Sequence, residues 1–321
     1  MKFKEIGWNG FLLTVPEEMH LTRQGGDANR GTFLLESEGS LIEFSWQPIP
    51  KKPKPLASVV EGIVEQTRKK VEKEKQKFSI YEKKNVSVNN HNAVYLRLKS
   101  VIEERYYIWY CQESNRIVVS RFVFETFNEK SRNFIKQFIN TLKCHMKEKN
   151  VWSLMKVRFN SPQSFLLKEA KIEVGRTHLT LAENKLSMFT EKVRTINIDY
   201  FTMANLTFKD TYEDPEKWFE KNYLKDLKKI LKKRWIKFET IDKKEIENHK
   251  IVIKQAKATS GLYIRSTEFY SNASWYCPEI NRMYSVTFSS KISRPFFFKR
   301  ELKKEEHDEL FNEILESFQC H

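Results

Sequence analysis

The chain has 321 residues, with 57 Lys and Arg against 42 Asp and Glu, a net charge of +15 and a pI near 9.4. That length predicts about two domains, each large enough to bury a core of its own. No stretch reaches the roughly 20 apolar residues that span a bilayer and residues 1–8 lack an apolar signal core, so the sequence reads as a soluble, cytoplasmic protein with no membrane partner.

Residues 10–46 alternate apolar and polar side chains between turn signals, which predicts strands. After the Lys- and Pro-rich connector 51–55, Leu56, Val59, Val60, Ile63 and Val64 recur at helical spacing, predicting a helix to about residue 77. The pair Asn90-His91 marks a turn, and the segment around residues 111–116 reads as the tip of an antiparallel meander. A helix follows over about 129–142. The second half repeats this order: strands over 159–181 and 194–209, a helix opened by Asp214 as N-cap with Pro215 at its first position, a turn at Asn248-His249, a meander and a closing helix.

The repetition is literal in places. Trp109-Tyr110-Cys111-Gln112-Glu113-Ser114-Asn115-Arg116 returns as Trp275-Tyr276-Cys277-Pro278-Glu279-Ile280-Asn281-Arg282, six identities in eight. Each closing helix also ends on adjacent Cys-His, Cys144-His145 and Cys320-His321. A tandem duplication follows, with repeats over 1–148 and 149–321. Both halves are basic: 25 basic against 18 acidic residues in the first, 32 against 24 in the second. Strands, one helix, a meander and a terminal helix predict an α+β fold in which two similar domains each carry an antiparallel sheet covered by helices.

The early Val-Pro-Glu-Glu of residues 15–18, the mid-repeat helix, the Asn-His hairpin turn and the closing Phe-Gln-Cys-His of 318–321 together resemble the PsbP-like superfamily, which includes import factors of the Mog type. The resemblance implies an α/β/α sandwich used as a non-enzymatic binding or assembly module. It says nothing of the Trp-Tyr-Cys hairpin or the terminal Cys-His.

Chain reach places the end of each closing helix beside the turn of its hairpin, so Cys111 can meet Cys144 and Cys277 can meet Cys320. Two intradomain disulfides are the expectation, each contributing about 3 to 4 kcal/mol on the loop-entropy account. Buried reduced thiols remain an alternative. So does zinc held by the Cys, Cys and His of each repeat, although paired short spacings are lacking. His91 and His249 read as turn residues, and Glu113 with Arg116 as a turn-flanking ion pair.

Phosphate loops, nucleophile elbows and HExxH are missing from the sequence, so no catalytic residue and no cofactor is expected. The positive field instead suggests RNA or a ribonucleoprotein such as the ribosome. The candidate contacts are Arg68, Lys69 and Lys70 on the first long helix, Lys225, Lys228, Lys229, Lys232, Lys233 and Arg234 on the second, and Phe297, Lys299 and Arg300 in an insertion rich in phenylalanine. A protein adaptor whose charge is incidental is the alternative.

Overall fold

In the computed structural model, which describes residues 2–154, 156–233, 235–246, 249–299 and 301–320, the chain divides into two compact units, Met1–Met155 and Lys156–His321. In the first, β1 (Phe3–Trp8) and β2 (Phe11–Pro16) form a hairpin. A meander follows of β3 (His20–Gly26), β4 (Gly31–Ser37) and β5 (Ser40–Pro48), then helix α1 (Leu56–Lys73). A second meander, β6 (Ser79–Val88), β7 (His91–Lys99), β8 (Glu103–Cys111) and β9 (Arg116–Phe124), leads to α2 (Glu129–Thr141) and β10 (Lys149–Leu154). The sheet order is β3-β4-β5-β9-β8-β7-β6 and every pairing is antiparallel. Helix α1 thus carries the chain from the middle of the sheet to its far edge, and the second meander walks back until β9 closes against β5.

Strand alternation gives this sheet two apolar faces. On one, Val60 and Val64 of α1 pack on Val94, Leu96, Leu98, Tyr106 and Ile108. On the other, Phe138 of α2 meets Phe44 and Phe122, while Phe11 of the hairpin meets Phe33, Phe44 and Trp46. Phe11, Phe33, Phe44, Phe122 and Phe138 are all fully buried.

The second unit comprises β11 (Val157–Pro162), β12 (Leu166–Glu173), β13 (Arg176–Leu186) and β14 (Glu191–Thr202), the short helices α3 (Ala204–Thr207) and α4 (Pro215–Trp218), a π-helical turn (Phe219–Tyr223), and α5 (Leu224–Ile230). Then come β15 (Glu239–Ile246), β16 (His249–Ser260), β17 (Ile264–Cys277), β18 (Arg282–Pro295) and α6 (Lys304–Glu316). The order β12-β13-β14-β18-β17-β16-β15 reproduces that of the first sheet, so the two units are similar.

The expectation of an α+β fold with sheets covered by helices in α/β/α layers is corrected. Strands account for 52% of the described residues and helices for 20%, so each unit is largely an antiparallel β structure. The second unit shows why. The apolar spacing from Trp218 to Leu231, read as one helix, is a capped turn, a π turn and two turns of α-helix. Asp214 Oδ1 does accept from the N–H groups of Glu216 and Lys217, at 3.1 Å each, with Pro215 at the first helical position. Propensity started the helix, and burial of Trp218, Phe219 and Tyr223 on one side distorted it.

Candidate functional site

At one end of the first sheet, four sulfur and nitrogen ligands converge. Register puts His91 and Cys111 there together. Ala93 pairs with Trp109, so His91, first residue of β7, stands across from Cys111, last residue of β8. The turn before His91 has Asn89 and Asn90 at φ 42° and 66°, a left-handed pair that asparagine tolerates and a tight hairpin requires. The tail after α2 is pinned by a two-way backbone bridge between Lys143 and Leu12, at 2.8 and 2.9 Å. That bridge delivers Cys144 and His145 to the same corner.

Cys111 Sγ lies 3.4 Å from His145 Nδ1, and Cys144 Sγ lies 3.7 Å from His91 Nε2 and 3.6 Å from His145 Nδ1. All four ligand atoms fall within 4.8 Å of one another. Glu113 Oε2 stands at the rim, 3.6 Å from Cys111 Sγ and 3.4 Å from His91 Nε2. The hydrogen bond from Cys144, with smaller contributions from Ser114 and His91, lowers the Cys111 thiol below the usual range, while the bond to Cys111 and burial push Cys144 up.

The second unit builds the same corner. His249 opens β16, Cys277 closes β17, and a bridge between Gln319 and Arg158, 2.7 and 2.8 Å, sets Cys320 beside them. Cys320 Sγ is 3.6 Å from His249 Nε2, and His249, Cys277 and Cys320 form a buried triplet within 4.8 Å. His321 lies outside the described residues. Each pair expected to form a disulfide, Cys111 with Cys144 and Cys277 with Cys320, lies in one corner, and the four side chains are free thiols in this structure.

The second feature is confined to the second unit. Between α5 and the sheet opens a cleft of about 870 Å³. Its lining carries seven Lys and Arg, among them Lys168, Lys171, Lys229, Lys232 and Lys291, against Glu169, Glu173 and Glu268. At its inner end Asp199, fully buried, accepts from Arg176 Nε and Nη2 at 3.0 and 2.8 Å and from Tyr223 Oη at 2.7 Å, with His178 Nδ1 at 3.0 Å. Burial alone would raise the Asp199 carboxyl, but His178, Tyr223 and Arg176 outweigh it and hold it below the usual range. Thr180 Oγ1 lies 2.9 Å from His178 Nε2 and donates to Asn197 Oδ1, also at 2.9 Å.

No family model and no curated protein matches the chain. Among solved structures it aligns with the immunity protein TplEi of the T6SS of Pseudomonas aeruginosa, complexed with "L" peptide. The identity is 12%, the coverage 99% of this chain and 98% of that one, and the TM-score 0.31. A superposition that loose supports no inference about this chain.

The basic residues singled out from the sequence are dispersed. Arg68 and Lys69 pair with Glu65 on the exposed side of α1, and Lys70 lines a smaller cleft whose other charges are Arg121, Glu43, Glu74 and Glu104. Lys225 and Lys228 lie on α5 outside the large cleft, while Lys229, Lys232 and Lys233 line it. Lys233 is spent on Glu268, 3.0 Å away, and Lys229 on Asp226, 3.1 Å away. Phe297 is 64% exposed against the edge of Phe296, whereas Phe298 packs on Phe189; Lys299 is exposed. Arg234 and Arg300 lie outside the described residues. Sequence reasoning missed the entry of His91 and His249 into the thiol corners, although the repeated Asn-His pair was the signal. It also missed Arg176, His178 and Asp199, which no spacing rule links.

Proposed function

We propose that the protein is a non-enzymatic binding protein for a polyanion, RNA or a ribonucleoprotein, taken in the cleft of the second unit. The observation that carries this is the charge of that cleft, seven cationic side chains against three carboxylates in its lining. Among the described residues Lys168, Lys232 and Lys291 make no ion pair, so they are available to phosphates. The first unit's cleft, with two cations and three carboxylates, offers no such field. The binding surface is therefore narrower than the sequence-wide charge suggests, and α1 is not part of it.

Fluorescence anisotropy with labelled single-stranded RNA, across a salt series, tests the reading. Reversal of Lys168, Lys232 and Lys291 to Glu should weaken binding at least tenfold and flatten the logarithmic salt slope by about 2, the value for three lost phosphate contacts on a single strand. Reversal of Arg68 and Lys69 should leave binding unchanged. Equal binding by the cleft variant would refute the proposal, and a stoichiometric protein partner with a weak salt slope would favour the adaptor reading.

A further inference from the structure

We propose that each unit holds a zinc ion at its thiol corner, ligated in the first by Cys111, Cys144, His91 and His145 and in the second by Cys277, Cys320 and His249. Zinc bonds thiolate sulfur at about 2.3 Å and imidazole nitrogen at about 2.0 to 2.1 Å, so the S···N edges of its tetrahedron are about 3.6 Å long. Four of the six S···N separations in the two corners are 3.4, 3.7, 3.6 and 3.6 Å, and the other two are within 4.8 Å. Two thiol–imidazole hydrogen bonds would explain two such distances. They do not require four atoms to close into one mutually adjacent set.

The imidazole of His91 is oriented for ligation. Its Nδ1 faces the carbonyls of Asn89 and Val88, at 2.9 and 3.2 Å, which fixes the hydrogen on that nitrogen and turns the Nε2 lone pair toward the sulfurs. Backbone carbonyls commonly play this supporting part for metal-bound histidines. Glu113 at the rim adds negative charge beside the ion.

The duplication supplies an independent argument. From first to second unit the spacing changes: His91 to His249 is 158 residues, Cys111 to Cys277 is 166, and Cys144 to Cys320 is 176. Insertions shifted the ligands relative to one another, yet sequence and fold return the same residue types to the same corner. His321 follows Cys320 as His145 follows Cys144. With four protein ligands the first site is closed, the arrangement of a structural rather than a catalytic zinc.

The full-length chain, purified under reductant without chelator, should contain two zinc ions by elemental analysis, one for each cluster. After metal removal, titration with Co(II) should give the visible absorption of tetrahedral thiolate coordination, saturating at two equivalents. Cys111→Ser and Cys277→Ser should each abolish one equivalent. If those variants fail to fold, the Co(II) titration of the unaltered chain still decides the matter. Absence of zinc together with no thiolate absorption would overturn the proposal, as would recovery of Cys111–Cys144 and Cys277–Cys320 disulfides from protein trapped with alkylating agent at cell lysis.

Discussion

His307 on α6 gives the sharpest link between this fold and pH. Its ring is 3% exposed, stacked on Phe288 at 4.8 Å, with Nε2 3.0 Å from Ser271 Oγ and Nδ1 2.9 Å from Ser290 Oγ. Gln255 donates to that same Ser271 oxygen and to Asp308, so the polar ring is satisfied while neutral. Burial, helped by the charges of Arg194 on β14 and Lys304 on its own helix, depresses the ring from 6.5 to about 4. Between those values the unfolded chain binds a proton that the folded chain refuses. Stability is therefore fully present above pH 6.5 and is lost as pH falls through 4. The difference of about 2.5 pH units corresponds to about 3 kcal/mol. His307→Gln keeps an amide near the two serines and removes the titration. In urea unfolding at several values between pH 7 and pH 4, the second unit's transition should weaken faster in the original chain than in the variant, and their gap should change by about 3 kcal/mol. Amide exchange in β17 and β18 assigns the transition. A gap constant to within about 1 kcal/mol over that range would refute the assignment of a buried neutral ring.

Two further outcomes follow from side-chain surroundings. Asp199→Ala strands Arg176 and His178 beside a buried hole and should cost the second unit about 3 to 5 kcal/mol in urea unfolding. Asp226→Ala, which removes an exposed partner 3.5 Å from the same arginine, should cost under about 1 kcal/mol. Two glycines of the first unit should respond with opposite sign in thermal unfolding. A Cβ on Gly7 would lie 2.3 Å from the Val151 carbonyl oxygen where β1 rests on β10, so Gly7→Ala should destabilise by about 1 to 3 kcal/mol. Gly62 in α1 has open space around it, so Gly62→Ala should stabilise by about 0.5 to 1 kcal/mol.

Local chemistry was legible in the sequence to the extent that it is local. The period of Val60 and Val64 placed α1, the Asp214-Pro215 cap started α4, and the Asn-containing turns read correctly as hairpins because Asn115 and Asn281 both adopt φ near 51°. What failed was the balance between helix and sheet. Apolar spacing from Trp218 to Leu231 fits a helix, but it cannot show that Tyr223 must reach down to Asp199, which the π turn permits. The thiol corners failed differently. Their composition was visible, but His91 joins Cys111 only through cross-strand register, and His145 joins them only because Lys143 is bridged to Leu12. Register and bridging are properties of the closed sheet.

Because the units share one strand order, their differences can be read position by position. Ser45 pairs with Thr32 and Val119, and Asp199 pairs with His178 and Ser285, so these triplets occupy equivalent places. By the same registers Leu34 corresponds to Thr180, Tyr106 to Asn272 and Ile108 to Ser274. In the first unit this face is apolar enough for α1 to lie directly on it through Val60 and Val64. In the second the face has become polar. Asn272 bonds Ser285 and Thr287 beneath the short helices, and Ser274 bonds Asn272. Burying so many polar groups gains little stability over the apolar version, since each net hydrogen bond contributes only about 1 kcal/mol and desolvation opposes it. A stability requirement alone would not favour the exchange. The thiol corners, by contrast, are unchanged in residue type between units. Constancy of the corners fits the structural role proposed for them, and the polar face with the basic cleft beside it is the part of the second unit that the first does not repeat.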